Sequence, residues 1–147
     1  MAAHACCATG VAKGESDWHS PARGACFQMK RRLRLRRRGD FQSAIMGKRF
    51  HSGQSLVGFA VASEAPEGRI GVTVSKGLKG SVERNRARRR LREVARTTML
   101  GPDSPLRDVG IRYDVVLIAR PSALEVSYAD LKAEASLAAL RLAKFKP

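Results

Sequence analysis

The stretch Ile70-Gly71-Val72-Thr73-Val74-Ser75-Lys76-Gly77-Leu78-Lys79-Gly80-Ser81-Val82-Glu83-Arg84-Asn85-Arg86-Ala87-Arg88-Arg89-Arg90-Leu91-Arg92 passes from strand through loop to helix. Ile70, Val72 and Val74 alternate on one face, the period of a strand. The loop 76–80 breaks that alternation with two glycines and two lysines. Ser81 is expected to cap the helix, and Glu83 suits the positive end of its dipole. Ala87, Leu91, Val94 and Thr98 then recur at helical spacing and predict a narrow core-facing stripe as far as about Met99. Arg88, Arg92, Arg96, Asn85 and Arg89 fall on another arc, facing out.

Positions 84–92 hold six arginines and one asparagine. A helix so basic repels itself unless a polyanion lies against it, and the size of the charge points to nucleic acid. The rest of the chain agrees. Of 147 residues, enough for one modest domain, 28 are Lys or Arg and 13 are Asp or Glu, a net charge of +15. Residues 30–50 carry nine basic and one acidic side chain, as do residues 69–92, so two blocks of +8 hold all the excess. Clustering of this kind predicts a directed binding surface.

Residues 1–28 are rich in Ala, Gly, Cys and Ser without a sustained period and are expected to be a disordered extension. Met29 opens the basic run, and the functional domain is expected to span 29–147. The three cysteines, Cys6, Cys7 and Cys26, are odd in number and lack a Cys-x-x-Cys spacing. With His4 and His19 they read as free thiols rather than a metal site or disulfide framework, which points to a reducing cytoplasm. No apolar run is long enough for a membrane span, and the start lacks the basic region of a signal peptide.

Residues 30–38 form a basic arm. Asp40 is expected to cap a short helix with Phe41, Ala44 and Ile45 on one side and Gly47 as its stop. Residues 55–62 alternate as a strand, with Val57, Phe59 and Val61 on one face and Leu56, Gly58 and Ala60 on the other. A turn at 64–68 leads to the strand 69–75, and a further strand around 51–54 is weakly signalled. Residues 100–112 read as a loop and residues 114–119 as an apolar strand closed by Pro121. Ser127 with Asp130 resembles a capping box. It opens a last helix bearing Tyr128, Leu131, Ala135, Ala138 and Leu142 on one side. The order helix, strands, helix, strand, helix predicts an α+β sandwich.

Three segments resemble the protein subunit of bacterial ribonuclease P. They are Gly71-Val72-Thr73-Val74-Ser75-Lys76, then Arg84-Asn85-Arg86 with Arg88-Arg89 and Arg92, then Asp114-Val115-Val116-Leu117-Ile118-Ala119-Arg120-Pro121. The opening, from Arg34-Leu35 through the basic run to Asp40-Phe41, is similar too. The resemblance implies a small mixed sheet with about three helices, like the second domain of a small-subunit ribosomal protein, and a left-handed βαβ crossover. It also implies a division of labour. A catalytic RNA with its bound Mg²⁺ cleaves the 5′ leader from precursor tRNA, and the protein docks on that RNA and contacts the leader.

By the same resemblance Arg84, Asn85, Arg86, Arg88, Arg89 and Arg92, with Lys76 and Lys79, contact the RNA subunit. Arginine forks bond phosphate oxygens bidentately. Asn85 either bonds a 2′-hydroxyl or base edge, or braces the loop through its backbone; the sequence leaves both open. The implied leader cleft holds Phe41, Ile45 and Phe59. It is poor in aromatics: Ile45 stands where another aromatic is common, and a usual aromatic strand position falls at or near Gly58. The adjacent lysine pair of the family is split here into Lys76 and Lys79. No catalytic protein residue is expected, because His51 has no obvious partner and the carboxylates show no metal-ligand spacing. Two alternatives compete: a structural ribosomal protein or general RNA chaperone, which explains charge but not the ordered signature, and a protein-only nuclease, which needs clustered carboxylates or a His pair.

Overall fold

The structure is a computed structural model that describes residues 31–63, 68–102, 104–106 and 113–145. The expected disorder of 1–28, the start of the domain at 29, most of the turn at 64–68 and much of the loop at 100–112 lie outside those residues. A 3₁₀ turn at Arg31–Leu33 opens the description, followed by α1 (Arg38–Met46), β1 (Lys48–Ser52), β2 (Leu56–Ala62), β3 (Ile70–Val74), α2 (Ser81–Thr98), β4 (Tyr113–Ala119), a second 3₁₀ turn (Pro121–Leu124) and α3 (Tyr128–Ala143).

The four strands form one mixed sheet in the order β1-β2-β4-β3. β4 runs antiparallel to β2 and parallel to β3, so α2 is the crossover between two neighbouring parallel strands. This is the expected α+β architecture. The weak strand signal at 51–54 resolves into β1, which begins earlier and carries a bulge between Arg49 and His51.

Register assigns the side chains to two faces. Leu56, Ala60, Ile70, Val115, Leu117 and Ala119 join the larger core under α2 and α3. The predicted stripe of α2 is there, with Ala87, Leu91 and Val94 fully buried. The other face is thinly covered: Val116, Ala44 and Leu35 are buried, with Phe41, Val61 and Ile118 packed beside them. α1 lies over β2 and β4 on that side. Its nine residues are too few to hold a helix in water without tertiary support.

Several local expectations are corrected. Asp40 does not cap α1; Arg37 is the N-cap and lends no side-chain bond, while Asp40 sits in the first turn and pairs with Arg69. Gly80, not Ser81, caps α2, again without a side-chain bond. At α3 the capping box forms as predicted: Ser127 Oγ accepts from the Asp130 amide at 3.1 Å. Tyr128, placed on the buried side from its spacing, is exposed at the helix start, and Ala139 is buried instead. Among the described residues no helix is long and apolar enough to cross a membrane.

Candidate nucleic-acid interface

The arginines of α2 divide by what faces them. Arg90 donates to three carbonyls of the segment after β4: Ala123 O at 2.8 Å, Leu124 O at 2.9 Å and Val126 O at 2.7 Å. Burial, then the neighbouring charge of Arg86, lowers its pKa, yet a guanidinium stays charged in a protein. Arg84 Nε donates to Leu78 O at 2.5 Å, which ties the loop 76–80 to the helix. Arg96 pairs with Glu93 one turn back, and that hydrogen bond holds the Glu93 carboxyl below its ordinary pKa.

Arg86, Arg88, Arg89 and Arg92 make no hydrogen bond or ion pair with protein among the described residues. The same holds for Asn85, Lys76 and Lys79, all exposed. Since Arg84 already braces the loop, the Asn85 amide is left facing outward. Of the predicted set, Arg84 alone makes a hydrogen bond to protein among the described residues, and Arg88 and Arg92 stand apart from the rest in lining a groove. Arg90, outside the predicted set, is structural altogether.

A groove of about 540 Å³ brings two predicted sites together. Its basic wall comes from two elements, Arg34, Arg36 and Arg38 of the arm and start of α1, and Arg88 and Arg92 of α2. Between them lie Leu35, Phe41, Ile45, Ile70, Val72 and Thr73. The arm is held at the open edge of β3 by a backbone bond from Leu35 N to Ile70 O of 3.1 Å. Gly71 makes the seat for the Phe41 ring, because a Cβ there would lie 2.6 Å from Phe41 Cε1. An apolar floor under facing guanidinium groups suits single-stranded nucleic acid, with bases on the floor and phosphates at the rim.

Phe59 does not line this groove. It is half-buried on the sheet face that α1 partly covers, in register with Arg49 of β1 and Val116 of β4. Gly58 points to the opposite face, where the Phe50 ring fills the space a side chain would need. The aromatic on the α1 side is therefore Phe59, and the three residues expected in one cleft are split between the groove and the adjoining sheet face.

Two polar clusters were missed in the sequence. Asp114, 6% exposed, accepts from Ser63 Oγ (2.9 Å), from the Arg69 amide (3.2 Å) and from both Nε and a terminal nitrogen of Arg69. The remaining fork of Arg69 reaches Asp40 at 2.8 Å. In the second cluster Glu134 of α3 accepts from the amides of Ser55 and Leu56 at 3.1–3.2 Å. His51 is buried beside it, with Nε2 3.6 Å from Glu134 Oε1 and Nδ1 3.2 Å from an Arg141 nitrogen. Both pairings join residues far apart in the chain, so no local pattern announces them. Among the described residues no group of three or more His, Cys, Asp or Glu side chains is placed to hold a metal ion.

Fold and surface together define an α+β RNA-binding protein whose unpaired cations line α2 and a groove beside it. A family model for ribonuclease P matches residues 29–143. Among curated relatives, the ribonuclease P protein component of Dehalococcoides mccartyi is 38% identical over 104 residues, covering 71% of this chain and 79% of its own. That of Ruegeria pomeroyi is 41% identical over 90 residues, covering 60% and 67%. The solved RNase P protein of Thermotoga maritima superposes with a TM-score of 0.57 at 22% identity, over 78% of this chain and 98% of that one. The chain belongs to the ribonuclease P protein family, whose members act as the protein subunit of that enzyme in tRNA 5′ processing.

Proposed function

We propose that this chain is the RNA-binding cofactor of a ribonuclease P ribozyme: the RNA subunit, with its Mg²⁺, carries out the phosphodiester hydrolysis, and the protein supplies binding. What most supports this is the sorting of the cations. Lys76, Lys79, Asn85, Arg86 and Arg89 are exposed and unpaired on the loop and outer arc of α2, a surface suited to the folded RNA subunit. Arg88 and Arg92 face the groove with the arm, Phe41 and Ile45, a channel suited to the 5′ leader of precursor tRNA. Phe59 extends that surface across the sheet face. Arg84 adds charge to the first surface while keeping its loop contact. Among the described residues four carboxylates are already engaged: Asp40 and Asp114 by Arg69, Glu93 by Arg96, Glu134 by backbone amides. In this reading the Mg²⁺ is bound mainly by the RNA subunit, and the holoenzyme works in the cytoplasm.

The test is cleavage of a leader-bearing precursor tRNA at low Mg²⁺. Protein alone, a bacterial ribonuclease P RNA alone, and both are compared. Cleavage only with both components is expected. Tight RNA binding with no enhancement would favour a ribosomal or chaperone role, and cleavage by protein alone would place a catalytic centre in the chain.

A further inference from the structure

We propose that Arg69 and Asp40 are positioning residues for the leader: the bridge Asp114–Arg69–Asp40 sets where α1 stands, and so where the groove wall lies. The inference rests on the leader reading above. α1 has little else to fix its entry. Few apolar side chains are buried beneath it, and its N-cap contributes no side-chain bond. Two contacts tie it to one place at the start of β3. The arm is bonded by its backbone to Ile70, and the first turn by the Asp40 carboxylate to Arg69.

Arg69 is itself immobilised. Asp114 holds its amide and two of its guanidinium nitrogens, and Val115 N donates to Arg69 O at 2.8 Å. The fork that reaches Asp40 therefore projects from a fixed point on the sheet. Asp40 stands next to Phe41 and one turn or less from Arg38, both of which line the groove. With Asp40 24% and Arg69 27% exposed, an ion pair contributes little to stability. Its consequence is geometric: loss of the bridge releases the first turn of α1 and displaces the Phe41 ring from its seat over Gly71. A lysine does not serve, since its donors share one nitrogen whereas the bridge uses three guanidinium nitrogens spread over two carboxylates.

The experiment uses the reconstituted holoenzyme with Asp40→Asn, Arg69→Lys and the conservative Asp40→Glu. Three quantities are read: affinity for the RNA subunit, KM and kcat for leader-bearing precursor, and affinity for the same tRNA without a leader. Asp40→Asn and Arg69→Lys are expected to raise KM for the leader-bearing substrate about tenfold, since small misplacements of a positioning group are amplified. RNA-subunit affinity, kcat and leaderless binding stay at the parent values, and Asp40→Glu restores most of the loss. Equal losses on both substrates, or none, would overturn the positioning role. A parent holoenzyme that binds tRNA with and without leader equally well would instead overturn the leader reading.

Discussion

The two margins of α2 carry the same residue and do different work. Arg88 and Arg90 flank the buried stripe of Ala87, Leu91 and Val94 at similar angles on either side. On Arg90's side lies the segment after β4, whose free carbonyls close around the guanidinium. On Arg88's side lies the groove beside β3, where Arg88 makes no hydrogen bond to protein among the described residues and stands with Arg92. The lesson concerns basic runs in general. Charge count sets the strength of the field, but the backbone opposite each arginine decides whether it binds the protein or the ligand.

The largest effect should come from the engaged margin. Arg90→Met removes a cation from three carbonyls and leaves them half-buried. A loss of about 2–4 kcal/mol of folding stability is expected, as for charge-assisted hydrogen bonds with poorly solvated partners. Urea denaturation measures it, and RNA affinity of the folded fraction should hold. A variant as stable as the parent would erase the distinction between the margins. Next comes the open margin. Arg88→Ala with Arg92→Ala should leave stability unchanged and weaken RNA binding. The dependence of log K on log salt should become shallower by roughly 1.4–1.8, the equivalent of two phosphate contacts. An unchanged slope would remove both residues from the interface. Asn85→Ala is a smaller probe. About 1 kcal/mol of RNA affinity is expected to go, the worth of one hydrogen bond, with no change in the urea midpoint. The reverse pattern would return Asn85 to the loop-bracing role.

Periodicity made the secondary structure legible. The alternation of Ile70, Val72 and Val74 and the stripe on α2 both appear where the sequence places them. The division among the arginines was not legible, because a helical wheel treats Arg88 and Arg90 alike and the distinction depends on which element packs against each margin. Asp40 looked like a cap because caps are local. Its actual partner, Arg69, lies 29 residues on and meets it only once β3 has paired with β4. Phe59 and Gly58 show the limit at a strand: the alternation fixed which residues share a face, but the packing of Phe50 against Gly58 shows which face α1 leaves open.

The same contrast between engaged and free arginines extends to Arg141, and there it carries a pH dependence. Arg141 is an exposed residue, yet one of its guanidinium nitrogens lies 3.2 Å from Nδ1 of the buried His51. That nitrogen can only accept from a guanidinium, so His51 is neutral with its proton on Nε2, toward Glu134. Burial, chiefly, pushes its pKa below the ordinary 6.5, reinforced by the Arg141 charge and opposed by Glu134. The folded state therefore binds this proton less readily than the unfolded chain. Its contribution to stability is fully present above pH 6.5 and is lost as pH falls through the lowered value. Stability of the parent should decline more steeply below pH 6.5 than that of His51→Gln, which keeps a polar side chain but does not titrate. The difference between the two curves is the part of the pH dependence that needs an imidazole at position 51. Parallel curves would mean that the imidazole is not held neutral, and that Arg141 belongs with the free arginines after all.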